Sequence, residues 1–257
     1  MAAGQGAARE GAGMIDIRTL TEREDLKSAV RLQRQIWGFE DVDLIPLRLF
    51  VVASKIGGQV YGAFDGAQMI GFCMAIPGLK PGGKTYLHSH MLGVLADYRN
   101  TGVGRTLKLT QRDDALRRGI DLIEWTFDPL EIKNAFFNME RLGAIVRRYV
   151  PNQYGTTSSP LHGGLPTDRC IAEWWISSPR VNTILAAQAF ARNPVEARIA
   201  IPSDIAAIRA KEPGCARDIQ QKASEQFREA FNHGLAVIGF EKSERAGTYL
   251  LGKWESA

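Results

Sequence analysis

Arg99, Gly102, Gly104 and Arg105 lie in the stretch Val94 to Leu107, VLADYRNTGVGRTL, where an apolar strand runs into a helix. Their connection, Arg99-Asn100-Thr101-Gly102-Val103-Gly104, is suited to holding an anion. Glycines let the main chain approach a ligand with no Cβ in the way. The first turn of the following helix aims unpaired N–H groups and roughly half a positive charge at the same place. Arg99 and Arg105 add full charges beside those partial ones, so the segment has the makings of a phosphate cradle.

Two other glycine-rich loops fit less well. A nucleotide-hydrolysing P-loop closes with Gly-Lys-Ser/Thr, whereas Gly104 is followed by Arg105-Thr106, with no lysine to reach a terminal phosphate. A dinucleotide-binding turn needs a third glycine near position 107 and an acidic residue about 20 positions on. Leu107 fails the first requirement and Glu124 meets the second, but the polar run Asp97 to Thr101 separates strand from glycines where the dinucleotide turn is tight.

A second set of reactive types precedes the loop. His88 and His90 alternate on the strand Thr85 to Leu95, and with period-two alternation they share one face with Leu92 and Val94. An imidazole near pKa ~6.5 can take a proton from an amine, and suits an α-amino group near ~8 better than a lysine near ~10.4. The same spacing also fits two ligands of a metal site, but no third ligand is evident, so no metal is expected; a satisfied structural pair is the other reading. Gly93, inside the strand, suggests a bulge or a close main-chain approach, with a plain kink as the alternative. Cys73, Cys170 and Cys215 are odd in number and widely spaced, which points to a reduced, cytoplasmic protein with core thiols rather than nucleophiles.

The elements that must hold these residues can be read from periodicity. Ile15 to Leu20 alternates as a strand, and Thr21 can cap a helix Glu22 to Trp37. A helix Pro46 to Lys55 stops at Gly57-Gly58, and Gln59–Phe64 and Met69–Ile76 form a hairpin around Asp65-Gly66. After the strand Thr85 to Leu95 come a helix Gly102 to Arg118, a strand Leu122 to Phe127 and a helix Leu130 to Leu142 opened by Asp128-Pro129. Strands Ala144 to Tyr149 and Arg169 to Ile176 follow. Residues 1–13, which lie outside the described residues, read as a disordered tail without the apolar segment of a signal peptide.

Arg99, Gly102 and Gly104 fill the pattern Arg/Gln, two residues, Gly, one residue, Gly/Ala, and the element order β-α-α-β-β-β-α-β-α-β-β surrounds it. In both respects the chain resembles the GNAT N-acetyltransferase superfamily over residues 14–178. The segments WTFDPLEIKNAFFNMERLGA, RRYVPNQYG and PTDRCIAEWWI resemble a poorly characterised subgroup of predicted acetyltransferases. The resemblance implies a mixed α/β (α+β) fold, a central mixed sheet flanked by helices, and acyl transfer from acetyl-CoA or succinyl-CoA to a small amine, an amino acid among them. It implies that Leu92, Gly93 and Val94 hold the pantetheine arm and that Arg99 through Arg105 (Asn100, Thr101, Gly102, Val103 and Gly104 between them) hold the pyrophosphate. Asn134 and Asn138 become further CoA contacts, and His88 stands where the family often has a basic glutamate, with His90 beside it. The usual acid, a tyrosine, is replaced by Met139, so Tyr149 and Tyr154 are the candidates left. Trp125 and Arg169 are the acceptor-binding candidates, with Arg147 and Arg148 as further guanidinium groups for a carboxylate.

Residues 179–195 read as a linker. Residues 196–257 read as a β-α-α-β-β subdomain repeating the opening of the first half, or as a capping or homodimerisation element. With 45% hydrophobic and 23% charged residues the chain is ordinary globular material, and it has no run of the ~20 apolar residues that span a membrane. A formal charge of +4 suits an anionic co-substrate. No basic run interleaved with aromatics suggests nucleic acid. A CoA-binding sensor without turnover is the alternative function, and a nucleotide-dependent oxidoreductase a more distant one.

Overall fold

The computed structural model describes residues 14–155 and 164–254. The first half runs β1 (Asp16–Thr19), α1 (Arg23–Trp37), α2 (Leu47–Lys55), β2 (Gln59–Asp65), β3 (Gln68–Leu79), β4 (Thr85–Val94), α3 (Val103–Arg117), β5 (Leu122–Phe127), α4 (Ile132–Phe136), β6 (Ile145–Val150) and β7 (Arg169–Trp175). This is the order expected above. α5 (Pro179–Leu185) falls inside the expected linker, its first turn closed by Ser178, which accepts from the Val181 N–H. The second half is β8 (Ala197–Pro202), α6 (Ile205–Lys211), α7 (Pro213–Asn232), β9 (Leu235–Lys242) and β10 (Ala246–Lys253).

Among the described residues the ten strands form one sheet in the order β1-β2-β3-β4-β5-β7-β6-β9-β10-β8. The second half has the element order of the first but not its pairing. β1 lies against β2, the strand that follows the helices, whereas β8 lies against β10, the last strand. It is therefore not a repeat of the opening half. The halves meet where β6 pairs with β9 at Val146 and Val237.

Two layers of side chains sandwich the sheet. On one face Leu26 and Ala29 of α1 and Phe50 and Ala53 of α2 bury Val60, Phe64, Phe72 and Met74. On the other, Val103 and Leu107 of α3 cover Tyr61, Cys73 and Val94. Apolar residues of α4 and α7 continue that second layer over Trp125 and Trp174. Cys73 and Cys170 are core residues, but Cys215, at the start of α7, is exposed.

Arg180 ties the halves together. Buried in α5, it donates from Nε to the Gly143 carbonyl and from Nη2 to the Ile238 carbonyl on β9, both at 2.9 Å. Burial lowers its guanidinium to about 10, so it stays charged at neutral pH. Arg180→Ala should cost about 3 kcal/mol, because two buried acceptors lose a charged donor. Chemical denaturation reads this, and a loss below ~1 kcal/mol would show the tie to be dispensable.

Candidate active site

β4 and β5 run parallel but pair at only two rungs, Leu87 with Ile123 and His88 with Glu124. Beyond them the pairing stops, leaving a gap in the ladder between the second half of β4 and the end of β5. Main-chain groups alternate between the two edges of a strand. Leu95 donates its N–H to Ile70 on β3, and a Cβ on Gly71 would lie 2.9 Å from the Gly93 carbonyl oxygen. The groups of Gly93 thus face β3, and those of Leu92 and Val94 face the gap. Of the three residues expected to line a pantetheine arm with their backbone, Leu92 and Val94 turn their main-chain groups away from β3 and Gly93 does not.

The bulge expected near Gly93 lies three residues earlier. Met74 pairs with Met91 and Ala75 with Ser89, so His90 is the extra residue of β4. Gly93 has a packing reason of its own, since a Cβ there would meet the Trp37 ring at 2.6 Å. The bulge also breaks the alternation that would have joined the histidines to Leu92 and Val94. Those two residues turn toward α3. Ser89 also turns there, accepting from Lys108 and donating to Gln111. His88, its neighbour, projects from the opposite face, with the His90 ring 5.9 Å away.

That opposite face is polar where the α1–α2 layer ends. Glu124 stands beside His88, and Glu173 of β7 stands directly across from Glu124. Two like charges in one register repel unless cations come between them. Lys80 supplies one at 2.7 and 2.8 Å from the two Glu124 oxygens. Arg148 bonds Glu124 and approaches Glu173 at 3.6 Å, and Arg147 bonds Glu173 at 2.6 Å. Burial, with His90 and the cations Lys108, Lys80 and Arg148 nearby, lowers His88 to about 4. It is a neutral imidazole throughout the neutral range. Burial lowers His90 as well.

The remaining expected residues divide between the faces. Tyr154 is on the open one, its hydroxyl 3.1 Å from Thr126 Oγ1. Arg169 lies four residues along β7 from Glu173, about 13 Å at ~3.3 Å per residue; its Nη1 donates to the Asp168 carbonyl, its guanidinium lies 5.5 Å from the Tyr154 ring, and burial lowers its pKa. Arg148 is the guanidinium closer to His88. Trp125 is corrected: it faces α3, is 7% exposed and lies under Lys108, out of reach of an acceptor on the open side. Tyr149 is corrected too. It stacks on Phe227 of α7 and donates to Asp168 at 2.6 Å, and burial pushes its hydroxyl well above the usual range.

The loop before α3 combines left-handed backbone turns with an uncapped helix start. Asn100 and Gly102 take left-handed backbone angles, φ 64° and 97°, and α3 begins at Val103 with no side-chain cap on its first N–H groups. Thr101 Oγ1 donates to the Tyr98 carbonyl and Thr106 Oγ1 to that of Gly102. A Cβ on Gly104 would rest 3.6 Å from Leu92 and 3.8 Å from Val94, ordinary contact distances, so packing does not require glycine there. The arginines are less free than the sequence suggests. Arg99 Nε donates to the Val94 carbonyl at 3.3 Å and its Nη2 to Ile36 at 3.5 Å, while Arg105 reaches the Leu185 carbonyl of α5.

α4 passes at Phe137 into a π-helical turn ending at Arg141. Asn138 is buried in that turn with its Nδ2 lacking a hydrogen-bond partner among the described residues; Asn134 is exposed. Among the described residues no group of three or more His, Cys, Asp or Glu is arranged to hold a metal ion, and no helix is long and apolar enough to cross a membrane.

Sequence reasoning passed over three site residues. Glu124 and Glu173 are acids set between apolar neighbours on strands, and Lys108 is a cation at an inward helical position.

Residues 23–143 match the family described as the acetyltransferase (GNAT) family. Three solved structures share the fold at low identity. Arabidopsis thaliana NAA60, in complex with a bisubstrate analogue, is 17% identical over 63% of this chain and 98% of its own, with a TM-score of 0.51. The ribosomal-protein-S18-alanine N-acetyltransferase from Escherichia coli is 20% identical over 64% and 96%, TM-score 0.50. An aminoglycoside 6'-acetyltransferase of type Ii is 20% identical over 63% and 98%, TM-score 0.50. Comparison with curated protein sequences gives no match.

Proposed function

Since residues 23–143 of this chain match the acetyltransferase (GNAT) family, we propose that the protein moves an acyl group from a CoA thioester to a small amine that carries a carboxylate, an amino acid being the simplest such acceptor. The observation that carries this reading is the gap beyond His88 and Glu124. It leaves one strand edge free for a pantetheine arm, leads toward the loop before α3 and has at its closed end a polar cluster in which Glu124 and Glu173 are buried beneath the partly exposed Arg147 and Arg148.

The gap-facing main chain of Leu92 and Val94 would bind the arm, with Asn138 Nδ2 as a further donor. The loop from Arg99 to Gly104 and the first N–H groups of α3 would bind the pyrophosphate. The thioester supplies the activated carbonyl carbon, and His88 accepts a proton from the nitrogen that attacks it. Direct attack fits the cysteines, because burial raises Cys73 to about 12 and Cys170 well above its usual value, leaving neither as a nucleophile. For the acceptor, the relevant cluster is Lys80, Arg147 and Arg148 against Glu124 and Glu173. Three cations face two carboxylates, and the surplus charge suits an anionic group on the substrate.

A thiol-release screen with acetyl-CoA and succinyl-CoA against amino acids, polyamines and lysine peptides tests this. Turnover should be highest with an amino acid, and Arg148→Lys should raise the acceptor KM about tenfold through loss of the guanidinium fork, with the acyl-CoA KM within twofold. Polyamines or peptide lysines as the best acceptors would remove the carboxylate from the reading. Bound CoA with no turnover on any amine would favour a CoA-sensing module.

A further inference from the structure

Lys108 is a charged residue at an inward position of α3, 4% exposed. A buried ammonium is costly without a counter-charge, and among the described residues it has no carboxylate partner. Its Nζ donates to Ser89 Oγ at 2.8 Å and lies 3.7 Å from the centre of the Trp125 ring. Ser89 Oγ in turn donates a hydrogen bond to Gln111 Oε1 at 2.9 Å. Ser89 and Trp125 are the first residues of β4 and β5 past their last rung. Nζ therefore sits on the α3 side of the point where the pairing stops, and His88 occupies the other side of the same point. Met139, buried in the π-helical turn, has no proton to give.

We propose that Lys108 is the general acid of the acyl transfer, a role that rests on the acyltransferase reading above. The acceptor nitrogen bonds to the thioester carbon, and the C–S bond breaks with its electron pair on sulfur. Lys108 Nζ–H protonates that sulfur and becomes a neutral amine. The surplus proton of the acceptor nitrogen leaves through His88 to solvent. Nζ regains a proton from water that refills the gap after the thiol departs. Burial brings the Lys108 ammonium down to about 7, so its proton is exchangeable near neutral pH. The titratable groups nearby are Cys73 on β3, a neutral thiol, the neutral His88 on β4, and Glu124 on the far face of β5, held by Lys80 and Arg148.

The test is the ionisation of CoA bound to the full chain, followed by ultraviolet thiolate absorbance as pH is raised. In the wild type the bound thiol should ionise at least one pH unit below the ~8.5 of an ordinary thiol, because the ammonium stabilises the thiolate. Lys108→Met should return it to the ordinary value or higher. Lys108→Arg keeps the charge but has no proton acidic enough to give to the sulfur, so it should preserve the thiol shift while kcat falls ~10²-fold, as in Lys108→Met, with the acceptor KM unchanged. The alkaline fall in kcat should vanish in both variants. Identical thiol titrations in wild type and Lys108→Met, or full activity in Lys108→Arg, would overturn the assignment while leaving acyl transfer intact. Failure of the wild type to bind CoA at all would overturn both.

Discussion

In Gly104→Val the CoA-dependent rise in melting temperature should vanish, with the ligand-free melting temperature close to that of the wild type. A Cβ at this position meets Leu92 and Val94 only at ordinary contact distances, so the fold admits it. Glycine inside a helix even costs ~0.5–1 kcal/mol relative to alanine. What a valine adds is branched bulk at the first turn of α3, where a pyrophosphate has to approach the N–H groups. A weakening of at least ~10²-fold follows if the phosphates are pushed off by an ångström or more. In the wild type, ligand at a hundred times Kd stabilises by about 2.7 kcal/mol, and nearly all of this would be lost. Gly104→Ala serves as the control and should keep the shift, since the family pattern admits alanine there. A full shift in Gly104→Val would move the site away from this loop.

The second large effect belongs to His88. Its replacement by alanine should lower the rate at subsaturating amine ~10²-fold with CoA affinity unchanged, and His90→Ala should cost less. The lowered basicity fixes the order of events. An imidazole that protonates only near pH 4 is too weak to strip an ordinary ammonium, so it takes its proton after the C–N bond has begun to form and the nitrogen has become acidic. The acid limb of kcat/KM should therefore follow the pKa of the acceptor amine and shift from one acceptor to another. A limb fixed near pH ~6.5 for every acceptor would mean that His88 titrates as an ordinary histidine. Equal losses in both variants with lower melting temperatures would mark the pair as structural.

The glycine turn between β4 and α3 was legible in the sequence because glycines at 102 and 104 and the change from strand to helix period are local signals. The first eleven elements were legible for the same reason, each carrying its own periodicity and stop signals. Orientation across the sheet was not. One inserted residue at His90 reverses the alternation of β4, and a bulge leaves no mark in composition. The assignments of Trp125 and Tyr149 failed on the same property, since a strand covered on one side only at intervals has no uniformly apolar face to betray which side is which. Lys108 was hidden because a cation in a helix ordinarily belongs to a solvated face. The pairing of β8 with β10 rather than β9 is a long-range choice, which neither strand's own residues reveal.

The junction of Val146 with Val237 bears on how copies of this chain can meet. In the first half alone, β6 would end the sheet and offer a row of unmatched main-chain donors and acceptors, the usual invitation to a second molecule. Here β9 takes that place, and behind it β10 and β8. The chain supplies its own neighbour at this border, and any sheet-to-sheet association between copies is diverted to β1, four residues long, or to the outer side of β8.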